Sequence, residues 1–136
     1  MFKNIVAGIA GILVAVGLVW IIEIASHTVY PPPPDLDFSD SEAVRLYVAG
    51  LPLGAFLFIG AAWFIGTLGG TLAACYVGTA RPQTFALVVG AVMLVATAIN
   101  LAMIAHPLWF SMAGIVAIVA AAWLGMTIAD RAVKAK

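Results

Sequence analysis

Polar and apolar positions along this chain separate into long blocks rather than alternating. Ile5 to Ile22, Leu46 to Ala80 and Pro82 to Ala129 contain no Asp, Glu, Lys or Arg, and the last block is broken only by His106-Pro107. A helix rises ~1.5 Å per residue, so about 20 apolar residues cross the ~30 Å hydrocarbon layer. The pattern predicts transmembrane helices over about 4–27, 51–78, 84–105 and 108–129, with one external loop over about 28–50. The expected fold is all-α: a polytopic membrane protein, residues 1–136 forming a single bundle of four transmembrane helices with a proline-rich external loop.

That loop has its own pattern. Pro31 to Pro34 predict a stiff polyproline II segment, because each ring fixes φ and removes a backbone donor. It serves better as a rigid spacer than as a ligand for a partner domain. Ser39 and Glu42 stand at capping-box spacing and predict a short surface helix over about 40–49, entering the second span near Pro52. Pro107 is expected at the first position of the fourth span.

Composition sharpens the picture. With 65% hydrophobic and 9% charged residues and a mean hydropathy of +1.16, the chain holds more apolar surface than a soluble core of its size can bury. Net charge is zero and there is no basic run, which argues against a nucleic-acid partner. Cys75 is alone, so an intramolecular disulfide and a multi-cysteine metal site are excluded. The first apolar block is longer than a signal-peptide core, and Glu23 stands where a small-residue cleavage site belongs, so an uncleaved helix is expected. Lys3, Arg81, Arg131, Lys134 and Lys136 fall on one side of the predicted spans and Arg45 alone on the other, with Asp35, Asp37, Asp40 and Glu42. The positive-inside rule then predicts cytoplasmic termini, with Tyr30, Tyr47 and Trp109 near the outer boundary.

In lipid, helices pair through close backbone approach rather than a hydrophobic drive. Small residues recur every four positions at Ala62, Gly66, Gly70, Ala74 and Gly78, at Ala113, Ala117, Ala121 and Gly125, and at Ala7, Gly11 and Ala15. These ladders predict either packing within one bundle or association with a second copy or another membrane protein. Helices 1 and 3 each carry a polar residue, a histidine and a proline, and helices 2 and 4 each carry Ala-Ala-Trp, at 61–63 and 121–123. This hints at a duplicated hairpin.

One polar constellation interrupts the apolar spans. Glu23 and His27 are one turn apart on one helix face, Asn100 is the only amide side chain inside a span rather than at its first residue, and His106 closes the helix that carries Asn100. Intramembrane ionisable groups mark functional sites by default. Four readings stand open. Glu23 and His27 form a local ion pair or reach to the interface, with Asn100 bonding across helices. Glu23 carries a proton for a small ion- or proton-coupled transporter. Glu23, His27 and His106 bind a divalent metal. A haem lies between His27 and His106.

Three segments, Glu23-Ile-Ala-Ser-His27, Leu51-Pro-Leu-Gly-Ala-Phe56 and Ile99 to Phe110, resemble small four-helix proteins of the bacterial inner membrane. The resemblance covers most of the chain, implies that location, and brings no activity or site residue with it. Small multidrug transporters of four helices also place a glutamate in their first helix, but nearer mid-membrane than Glu23. The sequence as a whole points to a non-enzymatic oligomeric or accessory membrane component. A Glu23-based transporter and a metal-binding protein are the alternatives.

Overall fold

The computed structural model describes residues 1–135, and Lys136, one of the cations sorted above, lies outside them. Five helices form: α1 (Phe2–Val29), α2 (Ser41–Ala49), α3 (Leu53–Val77), α4 (Pro82–Met103) and α5 (Leu108–Lys134). No strand occurs among the described residues. α1, α3, α4 and α5 are each long and apolar enough to cross a membrane, giving a multi-pass bundle. α1, with 28 residues, is about 42 Å long and exceeds the ~30 Å hydrocarbon layer.

The four long helices form a ring in the order α1, α3, α5, α4; α3 also touches α4 across it, and α1 and α5 do not meet. Pairing registers give the directions. Gly11 lies against Gly70 and Gly66 against Ala15, so α1 and α3 are antiparallel. Phe56 meets Phe110, Gly114 meets Trp63 and Gly125 meets Thr71, so α3 and α5 run the same way.

The ladder on α3 is used inside the bundle. Ala62, Gly66, Gly70 and Ala74 are buried, as are Ala7, Gly11 and Ala15 of α1. A Cβ at Gly11 would stand 2.6 Å from the Gly70 carbonyl oxygen, which is backbone-to-backbone contact. Gly78 is the half-buried cap residue beyond α3.

The ladder on α5 turns only partly into the bundle. Ala121 and Gly125 are buried, but Ala113 is exposed and Ala117 only half-buried. The face that packs is Phe110, Gly114, Ile118, Ala121, Ala122 and Gly125. At 3.6 residues per turn a strict four-residue step rotates ~40° each time, so a long ladder leaves a narrow contact stripe. α3 tolerates that drift because it has neighbours on three sides. The duplicated-hairpin pattern also fails to produce equivalent environments: Trp63 is 4% exposed in the core and Trp123 is 61% exposed.

Two further expectations change at helix ends. The N-cap of α2 is Asp40, whose Oδ1 accepts from the Glu42 and Ala43 amides at 2.9 and 3.3 Å. The predicted Ser39–Glu42 capping box does not form, because Ser39 donates its amide and hydroxyl to Asp37 Oδ1 at 2.8 and 2.6 Å. Glu42 instead accepts from Arg45. Pro107 is the cap before α5, one residue earlier than expected, while Pro82 occupies the first turn of α4.

One tie was invisible in the sequence pattern. Asn4 Oδ1 accepts from the Thr79 amide at 2.8 Å, the Thr79 hydroxyl at 3.0 Å and the Ala80 amide at 3.1 Å. It pins the start of α1 to the α3–α4 turn and satisfies two amide donors of that turn, which make no helical bond of their own.

Candidate functional site

α1 and α4 run in the same direction, so their C-terminal ends reach the same end of the bundle, where the proline-rich loop crosses. α1 presents Glu23, Ser26 and His27 there at helical spacing. α4 brings Asn100 near its last turn, and the α4–α5 turn brings His106. Glu23, His27, Asn100 and His106 line a single cavity of about 270 Å³. Sequence spacing alone could show no more than a shared depth.

α2 supplies residues that the sequence reading did not assign to the site. Val44, Tyr47 and Val48 also line this cavity, while Glu42 and Arg45 of the same helix are exposed. Val44, Tyr47, Val48 and Leu51 follow i, i+3, i+4, i+7 spacing, a signal present in the sequence. Ala55 and Ile59 of α3 complete an apolar wall, and Tyr30 and Phe38 of the loop add rings.

His106 is held in one orientation. Its Nδ1 lies 2.8 Å from the Ile104 carbonyl oxygen. A carbonyl only accepts, so Nδ1 carries the proton and the neutral ring keeps its acceptor lone pair on Nε2. The ring stacks on Phe110 at 5.4 Å and 25°, and Trp63 lies 6.5 Å away.

Other members differ from expectation. Among the described residues the ion pairs are Arg45–Glu42 and Lys134–Asp130, so Glu23 and His27 are not paired. Among the described residues no side-chain hydrogen bond joins two of the long helices: Asn4 ties α1 to the α3–α4 turn, and the expected bond from Asn100 across helices is not formed. No group of three or more His, Cys, Asp or Glu among the described residues is arranged to hold a metal ion, so Glu23, His27 and His106 share a cavity without forming that cluster. A volume of about 270 Å³ lies under the ~300 Å³ lower end of small-molecule sites, and a haem does not fit between His27 and His106.

A larger cavity, about 1070 Å³, lies at the opposite end, where Tyr76 of α3, Arg81 before α4 and Asp130 of α5 surround an open cleft. Asp130 is tied to Lys134 at 2.6 Å, and half-buried Cys75 lies on the wall. None of the residues singled out as the polar constellation reaches it.

Comparison with known proteins yields no match: none among protein-family models, none among curated proteins and none among solved structures. The resemblance to small bacterial inner-membrane proteins therefore rests on the three sequence segments alone. The chain is a small all-helical protein with four candidate transmembrane helices.

Proposed function

We propose that this is a non-enzymatic membrane protein whose activity is the reversible occupancy of the α2-covered cavity by a small polar solute. The observation that carries this reading is convergence: Glu23, His27, Asn100 and His106, from three separate segments, line one cavity. Polar side chains in a membrane bundle are costly unless they pair with one another, and here Glu23 and His27 remain unpaired.

The geometry favours binding over open conduction. Between the cavity and the other end, Ala15, Gly66, Gly70 and Val89 are buried in contact with one another. On the orientation given by the positive charges, the cavity opens to the external side of a bacterial inner membrane. α2 forms its roof, and the four prolines and Gly50-Leu51-Pro52 form its two tethers.

The test is a thermal-unfolding screen of the detergent-purified chain against small alcohols, amides, amines and carboxylates, run beside Ala55→Met. Ala55 is 3% exposed and lines the cavity, so the longer side chain fills it. One solute class should raise the transition of the parent and leave Ala55→Met unmoved. Identical responses in both proteins, or none in either, would sink the reading.

The association reading keeps one specific support. Ala113 is exposed and Ala117 half-buried on α5, leaving a small-residue step free for a second copy. Ala113→Leu should then lower the oligomeric mass in mild detergent, and an unchanged mass removes the idea.

A further inference from the structure

Resting on the cavity reading above, we infer that the ligand is a small organic ammonium: one protonated nitrogen on a compact apolar body. Charge disfavours the opposite class. Among the described residues, Glu23 is the only carboxylate lining the cavity, and no Lys or Arg lines it. With the two cavity imidazoles, His27 and His106, neutral, an anion would meet a like charge with no counter-charge to offset it, whereas a cation supplies the ion-pair partner Glu23 lacks.

The neutral polar groups lean the same way. With Nδ1 of His106 committed to the Ile104 carbonyl at 2.8 Å, the free nitrogen of the neutral ring is an acceptor. Asn100 lines the same cavity, and its amide can turn an oxygen toward the N–H donors of an ammonium group. Tyr30, Tyr47 and Phe38 bring three aromatic rings to the same cavity, and ring faces attract cations at distances up to ~6 Å.

Size and wall composition define the rest of the ligand. About 270 Å³ admits a body of a few carbon atoms, and Val48, Ala55 and Ile59 offer it an apolar surface. A bare metal ion is a poor match, since the described residues hold no cluster of three ligating groups. A peptide or a lipid chain exceeds the volume.

Cyclohexylammonium and cyclohexanol make a matched pair of probes with the same ring and different charge. Calorimetric titration of the detergent-purified chain is run at about pH 8, where free imidazoles are neutral. Cyclohexylammonium should bind at least tenfold more tightly than cyclohexanol. Glu23→Gln should erase that preference while cyclohexanol binding persists, and Ala55→Met should lose both probes. Equal affinities in the parent, or a preference that survives Glu23→Gln, overturn the ammonium assignment and leave the cavity reading standing. Failure of both probes in the parent overturns the two together.

Discussion

Gly11 and Gly70 face each other so closely that a Cβ built at position 70 would stand 2.5 Å from the Gly11 carbonyl oxygen. The atom in the way is backbone, so no rotamer change relieves the clash, and α1 must move away from α3. Gly70→Ala is expected to destabilise the bundle by about 1–3 kcal/mol or more. Gly17, which has nothing within 4 Å of its added Cβ, is the matched control. Gly17→Ala should be neutral or stabilising by up to about 1 kcal/mol, since alanine is the better helix former. Reversible unfolding of both variants in detergent checks the contrast, and equal destabilisation would contradict the packing described.

Asn4 holds the near end of the same helix pair, about two turns from the Gly11–Gly70 contact. Asn4→Ala removes three hydrogen bonds to Thr79 and Ala80. Two of them are exposed and exchange with water, so the net cost is about 1 kcal/mol rather than a sum over three full bonds. Faster amide exchange should appear at Thr79 and Ala80. Protection at Val44 and Val48, at the far end of the bundle, should not change.

The roof helix carries a pH dependence of predictable sign. The hydrogen bond from Arg45 holds the Glu42 carboxyl below its ordinary value of 4.5, and the Ser39 hydroxyl holds Asp37 below its ordinary 3.8. Carboxylates depressed in the folded state stabilise it above their unfolded pKa and lose that contribution as pH falls through the folded value. Their contribution to α2 should therefore be intact from neutral pH down to about 4.5 and fade progressively below it. A carboxyl titration followed by NMR should give Glu42 a midpoint under 4.5, returning toward it in Arg45→Gln. A midpoint unaffected by that substitution would contradict the pairing.

His106 offers a spectroscopic check that needs no ligand. Its hydrogen bond to the Ile104 carbonyl requires a protonated Nδ1, so nitrogen NMR at about pH 8 should report that tautomer. Phe110→Ala removes the stacked ring at 5.4 Å and should broaden the signal toward the usual tautomer mixture. A sharp Nε2-protonated signal in the parent protein would rule the orientation out.

Four spans were legible in the chain because burial in lipid demands long uncharged blocks, a constraint that Ile5–Ile22, Leu46–Ala80 and Pro82–Ala129 satisfy without reference to any partner. Glu23, His27, Asn100 and His106 stood out for the same reason, as rare polar residues in an apolar background. Their arrival at one cavity was a matter of tertiary structure. Helix spacing sets the depth of a side chain and its face, but the ring order α1, α3, α5, α4 decides which faces look at each other. That order turned the α1 and α3 ladders toward one another, left Ala113 outside, buried Trp63 and exposed Trp123. Local competition settled the finer points: Asp37 captured Ser39 and passed the capping role to Asp40. A one-dimensional pattern records how much apolar surface each helix carries. The choice of neighbour depends on backbone approach at single atoms, such as the Gly11–Gly70 contact, which only the folded chain contains.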